Sequence, residues 1–125
     1  MTKTLTIKIK SVDDALGDFR KAFRALEAGH RIARHEGVYF TSIEAARNLL
    51  TPSRLALLRA IRHRRPDSIY ELANIVHRDL KNVQGDLKIL ERYGLVTMTK
   101  GRSVGKRSVK TPRSVFGHIA LKVAI

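Results

Sequence analysis

The chain opens on a strict alternation. Leu5, Ile7 and Ile9 stand between Thr4, Thr6, Lys8 and Lys10, a period of two that predicts a half-buried strand. The period then changes. In "SVDDALGDFRKAFRALEAG", Ala15, Leu16, Phe19, Ala22, Phe23 and Leu26 fall on one helical face, with Arg20, Lys21 and Arg24 off it. This is the stripe of an amphipathic helix. Ser11 and Asp14 have capping-box spacing at its start, and Gly29 suits its end. A short strand through Val38, Tyr39 and Phe40 follows. Thr41 with Glu44 predicts a second capped helix reaching about Leu49.

From Leu50 the helical period dominates. Thr51 is a good N-cap and Pro52 a good first helical residue ahead of "SRLALLRAIRH", whose Leu55, Leu57, Leu58 and Ile61 supply a face to bury. "RRPDS" breaks that helix. Ser68 and Glu71 form a third capping box, and Leu72, Ile75 and Val76 face inward. "HRD" is a turn with Asp79 as N-cap of a helix that runs to about Tyr93 and stops at Gly94. "LVTMT" then predicts a strand, "KGRSVGKR" a basic glycine-punctuated loop, and "SVKT" a return strand stopped by Pro112. "HIALKVAI" alternates like the first strand.

Helix, turn, helix, strand, basic loop and strand is the order of a winged helix–turn–helix, whose second helix enters the DNA major groove. At about 100° per residue, Leu80, Val83, Leu87 and Leu90 cluster on one side and face the core. Opposite lie Arg78, Lys81, Gly85, Lys88 and Arg92, flanked by Asn82 and Gln84. A glycine inside a helix costs about 1 kcal/mol against alanine. At the centre of a basic face, Gly85 lets the helix backbone come close to a duplex. Asn82 and Gln84 carry amides that can read adenine edges bidentately, and Lys81 and Lys88 suit phosphates or guanine. Lys100, Arg102, Lys106 and Arg107 charge the loop, followed by Lys110 and Arg113. Ser68 and Tyr70, with the amides near them, can hold a further phosphate.

Charge sharpens this picture. The chain has 125 residues and a net charge of +14. Residues 1–50 contain nine Lys/Arg and six Asp/Glu (+3), and residues 51–125 contain sixteen and five (+11). A strongly basic half attracts polyanions and predicts salt-sensitive binding. There is no cysteine, which excludes disulfides, thiolate metal sites and a cysteine nucleophile. No apolar run reaches the ~18 residues of a membrane span, and "MTKTLTIKIK" is not a signal peptide, so the expectation is a cytoplasmic protein away from membranes. His30, His35 and Glu36 form no HExxH motif, and His63, His77 and His118 are scattered. With no phosphate loop, nucleophile elbow or paired carboxylates, neither an enzyme nor a cofactor or metal site is expected.

"EGVYFTSIEAARNLLTPSRLALLRAI" and "IYELANIVHRDLKNVQGDLKILERYGLV" resemble small prokaryotic winged helix–turn–helix proteins, the MarR-like or ArsR-like predicted transcriptional regulators. The resemblance covers about residues 36–100 and is closest from Arg78 to Gln84. It implies a DNA-binding regulator without catalytic residues that binds as a homodimer. Some relatives act as antitoxins, which would add a cognate toxin as partner and residues 1–50 as its surface. No effector-sensing residues match, and the N-terminal lobe and tail strand are departures from the family.

The expected fold is therefore α+β. It comprises an N-terminal strand–helix–strand–helix lobe (1–50) for dimerisation or partner binding, a winged helix–turn–helix (51–113) and a C-terminal strand (114–125). The first and last strands can pair with each other or with those of a second copy. The expected function is a sequence-specific regulator of double-stranded DNA, acting as a repressor. The alternative is a basic winged-helix module bound to RNA or the ribosome, which would show no preferred duplex sequence.

Overall fold

The computed structural model describes residues 3–29, 37–104 and 107–125. It is an α+β chain in the order β1 (Lys3–Ile9), α1 (Val12–Glu27), β2 (Gly37–Phe40), α2 (Ile43–Leu49), α3 (Pro52–Arg64), α4 (Ile69–Val76), α5 (Leu80–Arg92), β3 (Thr97–Val104), β4 (Arg107–Arg113) and β5 (Phe116–Val123). Among the described residues no helix is long and apolar enough to cross a membrane. The chain divides into two compact units. One holds Leu5–Arg47 and Ile119–Ile125, the other Asn48–His118 with the start of β1.

In the first unit β1 lies between β2 and β5. β2 runs parallel to it, with Ile7 opposite Val38 and Ile9 opposite Phe40. The tail strand thus pairs within its own chain, and the Ala124 amide donates to the Ile9 carbonyl at 2.9 Å. Alternation on β1 has the predicted result: Leu5, Ile7 and Ile9 are buried. Ser11 caps α1, its hydroxyl accepting from the Asp14 amide at 3.1 Å. The apolar face of α1, however, is not buried. Leu16, Phe19, Phe23 and Leu26 are all exposed, and the helix contains no buried residue. At the start of α2 it is Ser42, not Thr41, that accepts from the Ala45 amide.

In the second unit α3 packs on α4 and α4 on α5, while β4 meets α3 and α4. Leu57, Ile61, Leu72, Val83, Leu87, Leu90, Leu95 and Val96 form the core. Burying each such aliphatic side chain is worth about 1.5–3 kcal/mol. Thr51 and Ser68 cap α3 and α4 as their spacing predicts. Asp79 occupies the N-cap of α5 without a side-chain cap bond, and Gly94 leaves the helix at a φ of 78°. Leu80 is a correction: it keeps 36% of its surface exposed, because it starts the helix before the turn that meets the core.

β3 and β4 form an antiparallel pair that extends further than the sequence suggests, with Val104 opposite Arg107. Most of the expected basic loop therefore lies within the two strands. Pro112 does not stop β4 but lies buried within it, opposite Met98. Proline is tolerated there because in a two-stranded sheet each strand is an edge. The ladder shifts register between Lys100 and Ser103. At Gly101 an added Cβ would collide with the Thr111 hydroxyl and stand 2.8 Å from the Val109 carbonyl. That close approach lets Thr111 donate to the Asp67 carbonyl at 2.7 Å, and Arg113 donates to the Pro66 carbonyl at 2.7 Å. Both bonds fasten the hairpin to the segment leading into α4.

Candidate nucleic-acid interface

The two sides of α5 are sharply different. Val83, Leu87 and Leu90 are buried, and this fixes the rotation of the helix about its axis. Lys81, Asn82, Gln84, Gly85, Lys88 and Arg92 are consequently exposed together. Among the described residues Lys81, Lys88 and Arg92 make no ion pair, so their charge is available to an external anion. A Cβ built on Gly85 meets nothing within 4 Å. Packing inside the molecule therefore does not require glycine there.

The hairpin continues this surface. Gln84, Lys88 and Glu91 of α5 line one shallow groove of about 290 Å³ with Ile69 of α4, Met98 of β3 and Lys110 of β4. Lys110 thus stands with Gln84 and Lys88 around a single depression. Lys100 is exposed on β3. Arg102 and Arg107 occupy β3 and β4 by their backbones, and Lys106 lies outside the described residues, as do His30, His35 and Glu36. Ser68 caps α4 by accepting from the Glu71 amide at 3.0 Å, and Tyr70 beside it is exposed.

Arg78 differs from the other expected contacts. It precedes α5 and donates from Nη2 to Asp86 Oδ2 at 2.8 Å. Arg54 of α3 donates from Nε to the other oxygen at 3.2 Å, and its Nη1 donates to the Asn48 carbonyl at 2.6 Å. One carboxylate therefore links α3, the turn and α5. Sequence reasoning missed Arg54 and Asp86. The available signal was a carboxylate between Val83, Leu87 and Leu90 on an otherwise basic stretch of helix. Asp86 sits at the margin of the buried face, where an unpaired charge would be costly.

The HVO_A0114 family model matches residues 49–114, just over half of the chain and the stretch that contains α3, α4, α5 and the hairpin. None of the curated proteins compared with the chain matches it. The match takes in every element that builds the basic surface, and the chain belongs to the HVO_A0114 family.

Proposed function

We propose that this protein is a winged helix–turn–helix regulator that binds double-stranded DNA sequence-specifically and represses transcription. In this reading α5 lies in the major groove and the β3–β4 hairpin is the wing. The observation that carries it is the exposed row Lys81, Gly85, Lys88 and Arg92 opposite the buried row Val83, Leu87 and Leu90, with Asn82 and Gln84 exposed on its flanks. Asn82 and Gln84 read base edges, while Lys81, Lys88, Arg92, Lys100 and Lys110 hold phosphates. Gly85 gives the closest backbone approach. Arg78 acts through Asp86, setting the angle at which α5 leaves the turn.

Anisotropy titrations of a labelled duplex over a range of salt concentrations test this reading. Lys81→Ala with Lys88→Ala should weaken binding to all duplexes and reduce the salt slope by about 2. Lys21→Ala with Arg24→Ala, on α1, should leave both quantities unchanged. Equal loss from the two pairs would assign the binding to net charge alone. A chain that binds structured RNA better than any duplex would favour the RNA-associated alternative.

A further inference from the structure

α1 carries an apolar seam that the fold leaves open. Val12, Leu16, Phe19, Phe23 and Leu26 follow one another at alternating intervals of four and three residues, and each is 46% to 67% exposed. That alternation has the a/d spacing of a coiled-coil seam over two heptads. The Phe19 and Phe23 rings stack, with centroids 6.4 Å apart. A phenylalanine side chain can bury roughly 200 Å², so five half-exposed apolar side chains offer on the order of 500 Å². On monomeric proteins a patch of that size is commonly functional. Joining two such faces would cover about 1,000 Å², the lower bound of a specific interface.

The flanks of the seam identify what covers it. On one side stand Ala15 and Ala22, small enough for close approach; on the other stand Asp13, Arg20 and Glu27, alternating in sign. We propose that α1 pairs antiparallel with α1 of a second copy of this chain, Asp13 of each copy lying against Arg20 of the other. In this register Val12 meets Phe23 and Leu16 meets Phe19, so aliphatic and aromatic side chains alternate across the seam, and both ion pairs form. Sliding the helices by one heptad brings Arg20 to Arg20 and Asp13 to Glu27, like charge on like. Parallel pairing sets the charged row against the alanines and forms no ion pair. Charges flanking such a seam select partner and orientation. The pairing is independent of the DNA-binding reading and is measured without nucleic acid.

Sedimentation of the 125-residue chain at low salt tests it. The unmodified protein should dimerise at micromolar concentration, and Phe23→Glu should sediment as a monomer with an unchanged circular dichroism spectrum. Asp13→Arg and Arg20→Glu should each weaken the dimer about tenfold, since each replaces two attractive pairs by two repulsive ones. An equimolar mixture of those two variants should restore nearly the original affinity, because each copy then offers the charge that the other lacks. A monomer at every concentration would overturn the proposal, even if another protein binds through Phe23. So would a dimer indifferent to Phe23→Glu, or charge variants that associate equally well alone and mixed.

Discussion

Arg78 reaches Asp86 at 2.8 Å, bridging from the turn to the second turn of α5. Because Arg54 shares the same carboxylate, replacing Asp86 leaves two guanidinium groups facing each other without a counter-charge. Asp86→Ala should lower stability by about 2–3 kcal/mol, the worth of hydrogen bonds to charged groups. It should also weaken duplex binding, although Asp86 itself repels phosphate. Urea denaturation and anisotropy titration check the two effects. Tighter binding by the variant would show that Asp86 acts through charge and not by orienting α5.

Gly85 allows stability to be measured apart from the proposed duplex binding. A Cβ there meets open space, so Gly85→Leu should raise helix stability by up to about 1 kcal/mol. The same substitution should weaken duplex binding at least about tenfold, because in the proposed docking the side chain would fill the space between helix backbone and groove floor. A more stable protein that binds less well is the expected result in thermal melts and titrations. Unchanged binding would remove Gly85 from the interface.

Gly101 has the opposite character. Its missing side chain makes room for the Thr111 hydroxyl, which fastens β4 to the Asp67 carbonyl. Gly101→Ala should destabilise the protein by about 1–3 kcal/mol, the usual cost of forcing extra atoms into a packed site. Part of the loss should come from the Thr111 hydrogen bond. Chemical denaturation of Gly101→Ala beside Thr111→Val measures the two contributions.

Asp18 sets an acid-side dependence. A hydrogen bond from the Lys10 ammonium, and then its charge, hold the Asp18 carboxyl below its ordinary value. The folded chain therefore releases this proton more readily than the unfolded chain. The Asp18 contribution is fully present above about pH 4 and disappears as the pH falls through the lowered folded-state value. Asp18→Asn should be less stable than the unmodified protein at pH 5, and the gap should close on acidification. Urea midpoints at both pH values check the sign.

Local periodicity carries much of this architecture. The alternation of Leu5, Ile7 and Ile9, the caps at Ser11, Thr51 and Ser68, and the buried row Val83, Leu87 and Leu90 are all consequences of near neighbours in sequence. Facts that depend on distant residues were not legible. The amphipathic pattern of α1 predicts an apolar face but not whether its own chain covers it. Pro112 reads as a strand stop until the edge position of β4 is known, and the basic loop shortens because β3 and β4 pair as far as Val104 and Arg107. Of the candidate interface, the exposed row of α5 was readable from a helical wheel. The Arg54–Asp86–Arg78 bridge and the place of Lys110 beside Gln84 and Lys88 needed three dimensions.

Sequence-specific recognition of duplex DNA by α5 is the core of the proposed function. It is tested by selection from a randomised duplex library with the purified 125-residue chain at near-physiological salt. Enrichment of a short motif is expected, with loss of preference at particular positions of that motif in Asn82→Ala or Gln84→Ala. Tight low-salt binding with no enriched sequence, unaltered by either substitution, would contradict it.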